Sequence, residues 1–189
     1  MLTIPLFFGV FIKYFLVRDL SLKVILILIT GVLVLLLLNK VIEIYGYSNR
    51  NIEIMKNHDV INVFISKNNQ IIVWLFFPII MIIEELIFRY YIIGFFIFLF
   101  ELESFLLIIL SSLIFSLYHI HTWFVIKNLK LRLINLGNPF LLGLFNGYLF
   151  LKLGIIPCIV IHYIFAIFLY YNIYRRYFKK EGIGQHEEN

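Results

Sequence analysis

The sequence predicts an all-α protein, a polytopic transmembrane helical bundle of about six spans. Three observations lead there. Of the 189 residues, 62% are hydrophobic and only 14% charged, and the mean hydropathy is +0.98. A water-soluble domain of that length could not cover so much apolar surface with so few charges. The apolar residues also fall in runs near the roughly 20 residues that cross a bilayer, parted by polar or basic stretches. Finally, the basic residues gather on alternate connections, as the positive-inside rule requires.

Taken in order, Leu2–Val17 is a short apolar segment interrupted by Pro5 and Lys13. It lacks a basic n-region and a small-residue cleavage site, so it reads as a retained membrane segment rather than a signal peptide. Leu22–Leu38 is the next span. Asn39–Gln70 is polar and reads as a loop, with an interfacial helix over Asn51–Ser66. Ile71–Phe100 is too long for one upright span, so it must tilt, kink near Pro78 or Gly94, or extend past the bilayer. Phe105–Ile126 follows, then a basic connector, Lys127–Asn138. Pro139–Leu153 and Ile155–Tyr174 form a helical hairpin about Leu153-Gly154, and Gly143 with Gly147 allows close helix contact.

With six spans, Lys40, Arg50, Lys56, Lys67, Lys127, Lys130, Arg132 and the C-terminal cluster share one side. Only Arg18, Lys23 and Lys152 lie opposite. The expectation is a multi-pass protein of the cell membrane with both termini cytoplasmic. The chain divides into residues 1–70, with N-terminal spans and a cytoplasmic loop; 71–174, the core; and 175–189, a basic-then-acidic tail. Arg175, Arg176, Lys179 and Lys180 read as an anchor at anionic headgroups. The lipid bilayer is therefore the expected partner. Nucleic acid is not, because the basic residues flank spans and build no soluble domain. The single cysteine, Cys158, excludes an intramolecular disulfide and reads as a small packing residue.

The chemistry concentrates in IIMIIEELIFRYYIIGF, where Glu84, Glu85 and Arg89 stand inside an apolar run. Each buried charge costs about 2.5–3.5 kcal/mol on insertion scales. Glu85 and Arg89 are spaced to form an ion pair on one helical face, which lowers that cost. Glu84 is rotated by about 100° from Glu85 and should meet a different neighbour. The economical reading makes Glu85–Arg89 structural and leaves Glu84 as a general base. A purely structural network is the competing reading of all three. His119 and His162 each stand in a further apolar segment, where a lone histidine is ordinarily an interhelical hydrogen-bonding contact. An acid, a base and histidines together at membrane depth form a functional-site hypothesis. His121 should face away from His119 on a helix and sit at the interface with Trp123.

The combination Glu84-Glu85-x-x-x-Arg89, Phe115-x-x-x-His119 and a late His162 resembles the CAAX prenyl protease type 2 and bacteriocin-processing family, the CPBP intramembrane glutamic proteases. The resemblance spans roughly residues 71–174 through the motifs EExxxR, FxxxH and HxxxN. It implies an intramembrane endopeptidase in which Glu84, assisted by His119, activates a water. His162 would polarise the peptide carbonyl. The substrate would be a membrane-associated or lipidated peptide or protein, with no cofactor and no metal. One departure stands out: Ala166 occupies the place of the last motif's amide, which the resemblance would pair with His162 at the oxyanion. Asn146 on the preceding helix is the substitute oxyanion donor, against the plainer reading of an interhelical hydrogen bond.

Three other functions compete. Glu84, His119 and His162 could hold zinc with one open position, although HExxH is missing. A non-catalytic binding or immunity protein on the same fold would explain Ala166. A transporter or proton relay would use buried acids and histidines too, but no inverted repeat is present.

Overall fold

The computed structural model describes residues 20–46, 48, 51, 70–100 and 102–187. The segment Leu2–Val17 and nearly all of the expected interfacial helix lie outside the described residues. Among the described residues every regular element is helical. With no water in a hydrocarbon core, helices alone satisfy each backbone group within one segment of an open chain.

Helix α1 (Leu22–Gly46) opens at Ser21, whose hydroxyl accepts from the Val24 N–H at 3.4 Å. It runs well past the expected end at Leu38. The extension forms because Asn39, Glu43 and Gly46 recur at helical spacing and are all buried. Asn39 receives a hydrogen bond from Asn138 at 3.2 Å, and Lys40 pairs with Glu43 at 2.8 Å.

The run 70–100 is continuous but divided. Helix α2 (Gln70–Glu85) passes through Pro78 and gives way to a π-helical segment, π1 (Leu86–Ile93), before α3 (Gly94–Phe100). The irregularity therefore lies between the two kink positions the sequence suggested, directly after the glutamate pair. The wider π turn buries Phe88, Arg89 and Tyr90 in succession, which a regular amphipathic helix cannot do.

Helix α4 (Ser104–Tyr118) ends at a turn over His119 and Ile120, and a short α5 (His121–Val125) follows. The expected basic connector is a correction. Helix α6 runs from Leu129 to Leu153, so most of 127–138 is helical. Asn128 starts it, its side chain accepting from the backbone N–H groups of Lys130 and Leu131. The α6 start is also tied to the end of α1 by Lys130 donating to the Tyr45 carbonyl, and through Asn51, which accepts from Asn128 at 3.0 Å and donates to the Gly46 carbonyl at 2.6 Å. These interhelical bonds make helix, rather than loop, the favourable state of a polar stretch. Gly154, with φ of 86°, turns the chain into α7 (Ile155–Glu187), which continues beyond the expected Tyr174.

The core lies where π1, α4, α6 and α7 meet, with Val24 of α1 closing one side. Tyr90, Ile93, Leu107, Leu149, Phe150, Leu153, Ile155 and Phe165 are buried there. Outward faces remain apolar: Leu26, Ile29, Leu33 and Leu37 on α1, and Ile156, Val160 and Ile164 on α7, are exposed. Such stripes fit a hydrocarbon solvent. Three described stretches, Leu22–Gly46, Ser104–Val125 and Ile155–Arg175, are by themselves long and apolar enough to cross a membrane.

Helices α4 and α6 pack closely at two glycines. A Cβ added at Gly143 would lie 3.0 Å from the Ser112 Cβ and 3.1 Å from its Cα, and one at Gly147 would lie 3.2 Å from Ile108. Small residues replace the hydrophobic drive that helices lack in lipid. Gly143→Val is expected to destabilise the protein by about 1–3 kcal/mol, since backbone must move to admit it. Gly137→Ala meets nothing within 4 Å and should leave stability level or raised. Thermal unfolding in detergent, followed by tryptophan fluorescence, measures both.

Candidate active site

The two glutamates close α2, Arg89 sits in π1, and the imidazole that joins them comes from α7. Glu85 is the centre. Its Oε2 lies 3.2 Å from Arg89 Nε, and both side chains are 0% exposed. Its Oε1 accepts from His162 Nδ1 at 2.7 Å and from Asn146 Nδ2 at 3.0 Å. A carboxylate only accepts, so Nδ1 of His162 carries the hydrogen and Nε2 is left to face elsewhere.

What Nε2 faces is Glu84, whose Oε2 is 3.6 Å away. The expectation that Glu84 meets a different neighbour from Glu85 is thus corrected. The two carboxylates flank the same imidazole on opposite nitrogens. A ring inserted between helices reaches across the angular offset of adjacent residues, which helix geometry alone does not reveal. Glu84 and His162 are 8% and 5% exposed. Glu84 Oε2 accepts no hydrogen bond among the described residues.

Arg89 is stabilised by more than Glu85. Its Nη1 donates to Ser111 Oγ at 3.1 Å, and that hydroxyl donates to the Phe88 carbonyl at 2.8 Å. Its guanidinium carbon lies 4.7 Å from the centre of the Phe115 ring. A desolvated cation–π contact contributes about 2 kcal/mol, which is comparable with the insertion cost of the charge. The Phe115 ring also meets both imidazoles edge-on, at 5.1 Å from His119 and 5.5 Å from His162. Ser111 as a partner of Arg89 was missed by sequence reasoning. Its signal was present, since Ser111, Phe115 and His119 follow one another at i, i+4 on α4.

His119 caps α4, its Nδ1 lying 3.0 Å from the Phe115 carbonyl. No hydrogen bond or ion pair joins it to Glu84 among the described residues. His121 does not face away from it: the two rings stack with centroids 6.4 Å apart. The helix ends between them, so helical spacing no longer applies. His121 is exposed, as is the ring partner Tyr118 of His119. Asn146 has both amide hydrogens engaged, with Glu85 and with the Cys158 carbonyl at 3.1 Å. Serving an oxyanion would require breaking one of these bonds. Among the described residues no three His, Cys, Asp or Glu side chains converge as metal ligands, so the two-histidine, one-carboxylate zinc arrangement is not formed.

The family described as type II CAAX prenyl endopeptidase Rce1-like matches residues 67–168, just over half of the chain. The chain belongs to this family. This Rce1-like chain is accordingly a membrane protein of protease lineage. The matched residues include both glutamates, Arg89, Phe115, both site histidines and Asn146, whereas α1 lies outside them. No curated protein and no solved structure matches the chain.

In this Rce1-like chain, Glu85→Gln should leave the Arg89 charge buried without its counter-ion. Breaking such a pair costs about 3–5 kcal/mol, so the monodisperse peak in size-exclusion chromatography should fall sharply. Glu84→Gln removes no comparable partner and should purify at near wild-type yield. Equal yields for the two variants would mean that Glu85 does not hold the core together.

Proposed function

We propose that the chain is a multi-pass intramembrane endopeptidase in which Glu84 activates the water that hydrolyses a peptide bond. The observation that carries this reading is the facing of Glu84 Oε2 and His162 Nε2 at 3.6 Å within an apolar bundle. Two atoms at that separation can contact one water or one reacting carbonyl together. Glu84 takes a proton from water as its oxygen attacks the carbonyl carbon, and later returns it to the leaving amine. His162, in its protonated form, donates from Nε2 to the carbonyl oxygen as charge develops there. His119 assists from the end of α4 across the Phe115 ring. Glu85, Arg89 and Ser111 hold the constellation in a low-dielectric setting that strengthens each interaction. No metal or cofactor takes part. The substrate is a membrane-associated or lipidated peptide, and both termini face the cytoplasm, in line with the placement of Lys and Arg.

A second reading has one observation in its favour. Ala166, one turn after His162, offers no side-chain donor to an oxyanion. A non-catalytic binding or immunity protein on this fold would tolerate that.

Cleavage of a library of prenylated and unmodified peptides by the purified protein, read by mass spectrometry, separates the two. Glu84→Gln should lower kcat by about 10²–10⁴-fold, the usual contribution of a general base. Full activity in that variant would remove Glu84 from the mechanism. Cleavage should persist in EDTA and 1,10-phenanthroline, and loss reversed by zinc would instead favour a metalloprotease. Ala166→Asn should raise turnover, since one aimed oxyanion donor contributes about 10²–10³ in rate. No gain from that substitution would leave His162 without the helical partner assumed for it.

A further inference from the structure

Asn146 on α6 and Cys158 on α7 stand on either side of the Gly154 turn, and both are fully buried. They are joined reciprocally. The Asn146 Nδ2 donates to the Cys158 carbonyl at 3.1 Å, and the Cys158 thiol donates to the Asn146 carbonyl at 3.2 Å. Cys158 precedes His162 by one helical turn, so its carbonyl is the acceptor that helix geometry assigns to the His162 N–H. The other hydrogen of the same amide goes to Glu85 Oε1, the oxygen that also holds His162 Nδ1. One side chain thus touches both the backbone turn that carries His162 and the carboxylate that grips its ring.

Arg89 cannot give that direction. Its Nε is 3.2 Å from Glu85 Oε2, yet neither atom has a partner with hydrogen-bonding geometry. Arg89 contributes charge, which is weakly directional, while the Asn146 amide contributes an aimed bond. With Asn146 removed, Oε1 would keep only the imidazole it is meant to orient.

We propose that Asn146 is a positioning residue: its amide fixes the Glu85 carboxylate against the His162-bearing turn of α7, and so sets the direction in which His162 presents Nε2 to Glu84. This assignment rests on the endopeptidase reading for what His162 does. The test reads the imidazole itself, so a chain that cleaves no tested peptide still gives a result.

The full-length chain, ¹⁵N-labelled at its five histidines, is observed by NMR in detergent micelles, with His162→Gln providing the assignment. In the wild type the His162 Nδ1 resonance should be that of a protonated, hydrogen-bonded nitrogen. In Asn146→Ala both ring-nitrogen resonances of His162 should shift or broaden as the ring loses its fixed orientation, while those of His119 stay in place. Asn146→Leu keeps the side-chain volume without the amide and serves if the alanine variant does not fold. With a fluorogenic prenylated peptide, kcat should fall by up to about 10²-fold, as misplacement of a reacting group does, with KM unchanged. An unprotonated Nδ1 in the wild type overturns the proposal. So do unmoved His162 resonances in a folded variant, and if kcat nonetheless falls, Asn146 acts instead as a donor to the oxyanion.

Discussion

A single carboxylate, Glu85, sets the architecture of the polar centre. It is fully buried, so its charge must be met on every side that water would otherwise occupy. Arg89 meets it from π1, Asn146 from α6 and His162 from α7. Each partner belongs to a different element, so the carboxylate ties three helical segments to one point. Apolar packing in lipid lacks the hydrophobic drive that assembles soluble cores. A desolvated ion pair whose carboxylate also accepts from Asn146 and His162 is then a strong determinant of which helices meet and in what register.

The irregular helix is part of the same solution. A straight α-helix through 70–100 would bury a stripe and expose the rest. The π segment instead turns Phe88, Arg89 and Tyr90 inward together, and it begins at the residue after Glu85. The freed backbone does not go unmet, since the Phe88 carbonyl accepts from Ser111, which also receives Arg89. A backbone irregularity and a buried charge are thereby satisfied by one hydroxyl. The close approach of α4 that brings Ser111 to this place depends on Gly143 and Gly147 of α6.

Within that frame the two glutamates acquire different surroundings although they are adjacent in sequence. Glu85 accepts two hydrogen bonds on Oε1 and sets Oε2 against the Arg89 guanidinium as an ion pair. Glu84 has one oxygen without a hydrogen-bonding partner among the described residues and looks toward His162 Nε2. The imidazole between them is gripped on one nitrogen and presented on the other. Under the proposed mechanism, this is how a supporting carboxylate would orient the histidine that meets the substrate.

The sequence alone determined the class of this protein. Its 62% hydrophobic content, its apolar runs and its few charges leave no water-soluble solution. It also marked the polar centre, because charges in an apolar run are costly and stand out, and the spacing of Glu85 and Arg89 named a pair on local geometry alone. The helical hairpin at Gly154 was legible for the same local reason. Other features depended on tertiary contact. The polar stretches 39–46 and 129–138 read as loops, yet they are helical because Asn39 and Asn138 bond across the α1–α6 interface and Lys130 reaches the Tyr45 carbonyl. Both glutamates meet one histidine because α7 inserts a ring that helical spacing cannot anticipate. His119 and His121 stack because the helix ends between them. Periodicity describes one helix at a time, whereas the partner of each buried polar atom is decided by the neighbouring helix that reaches it.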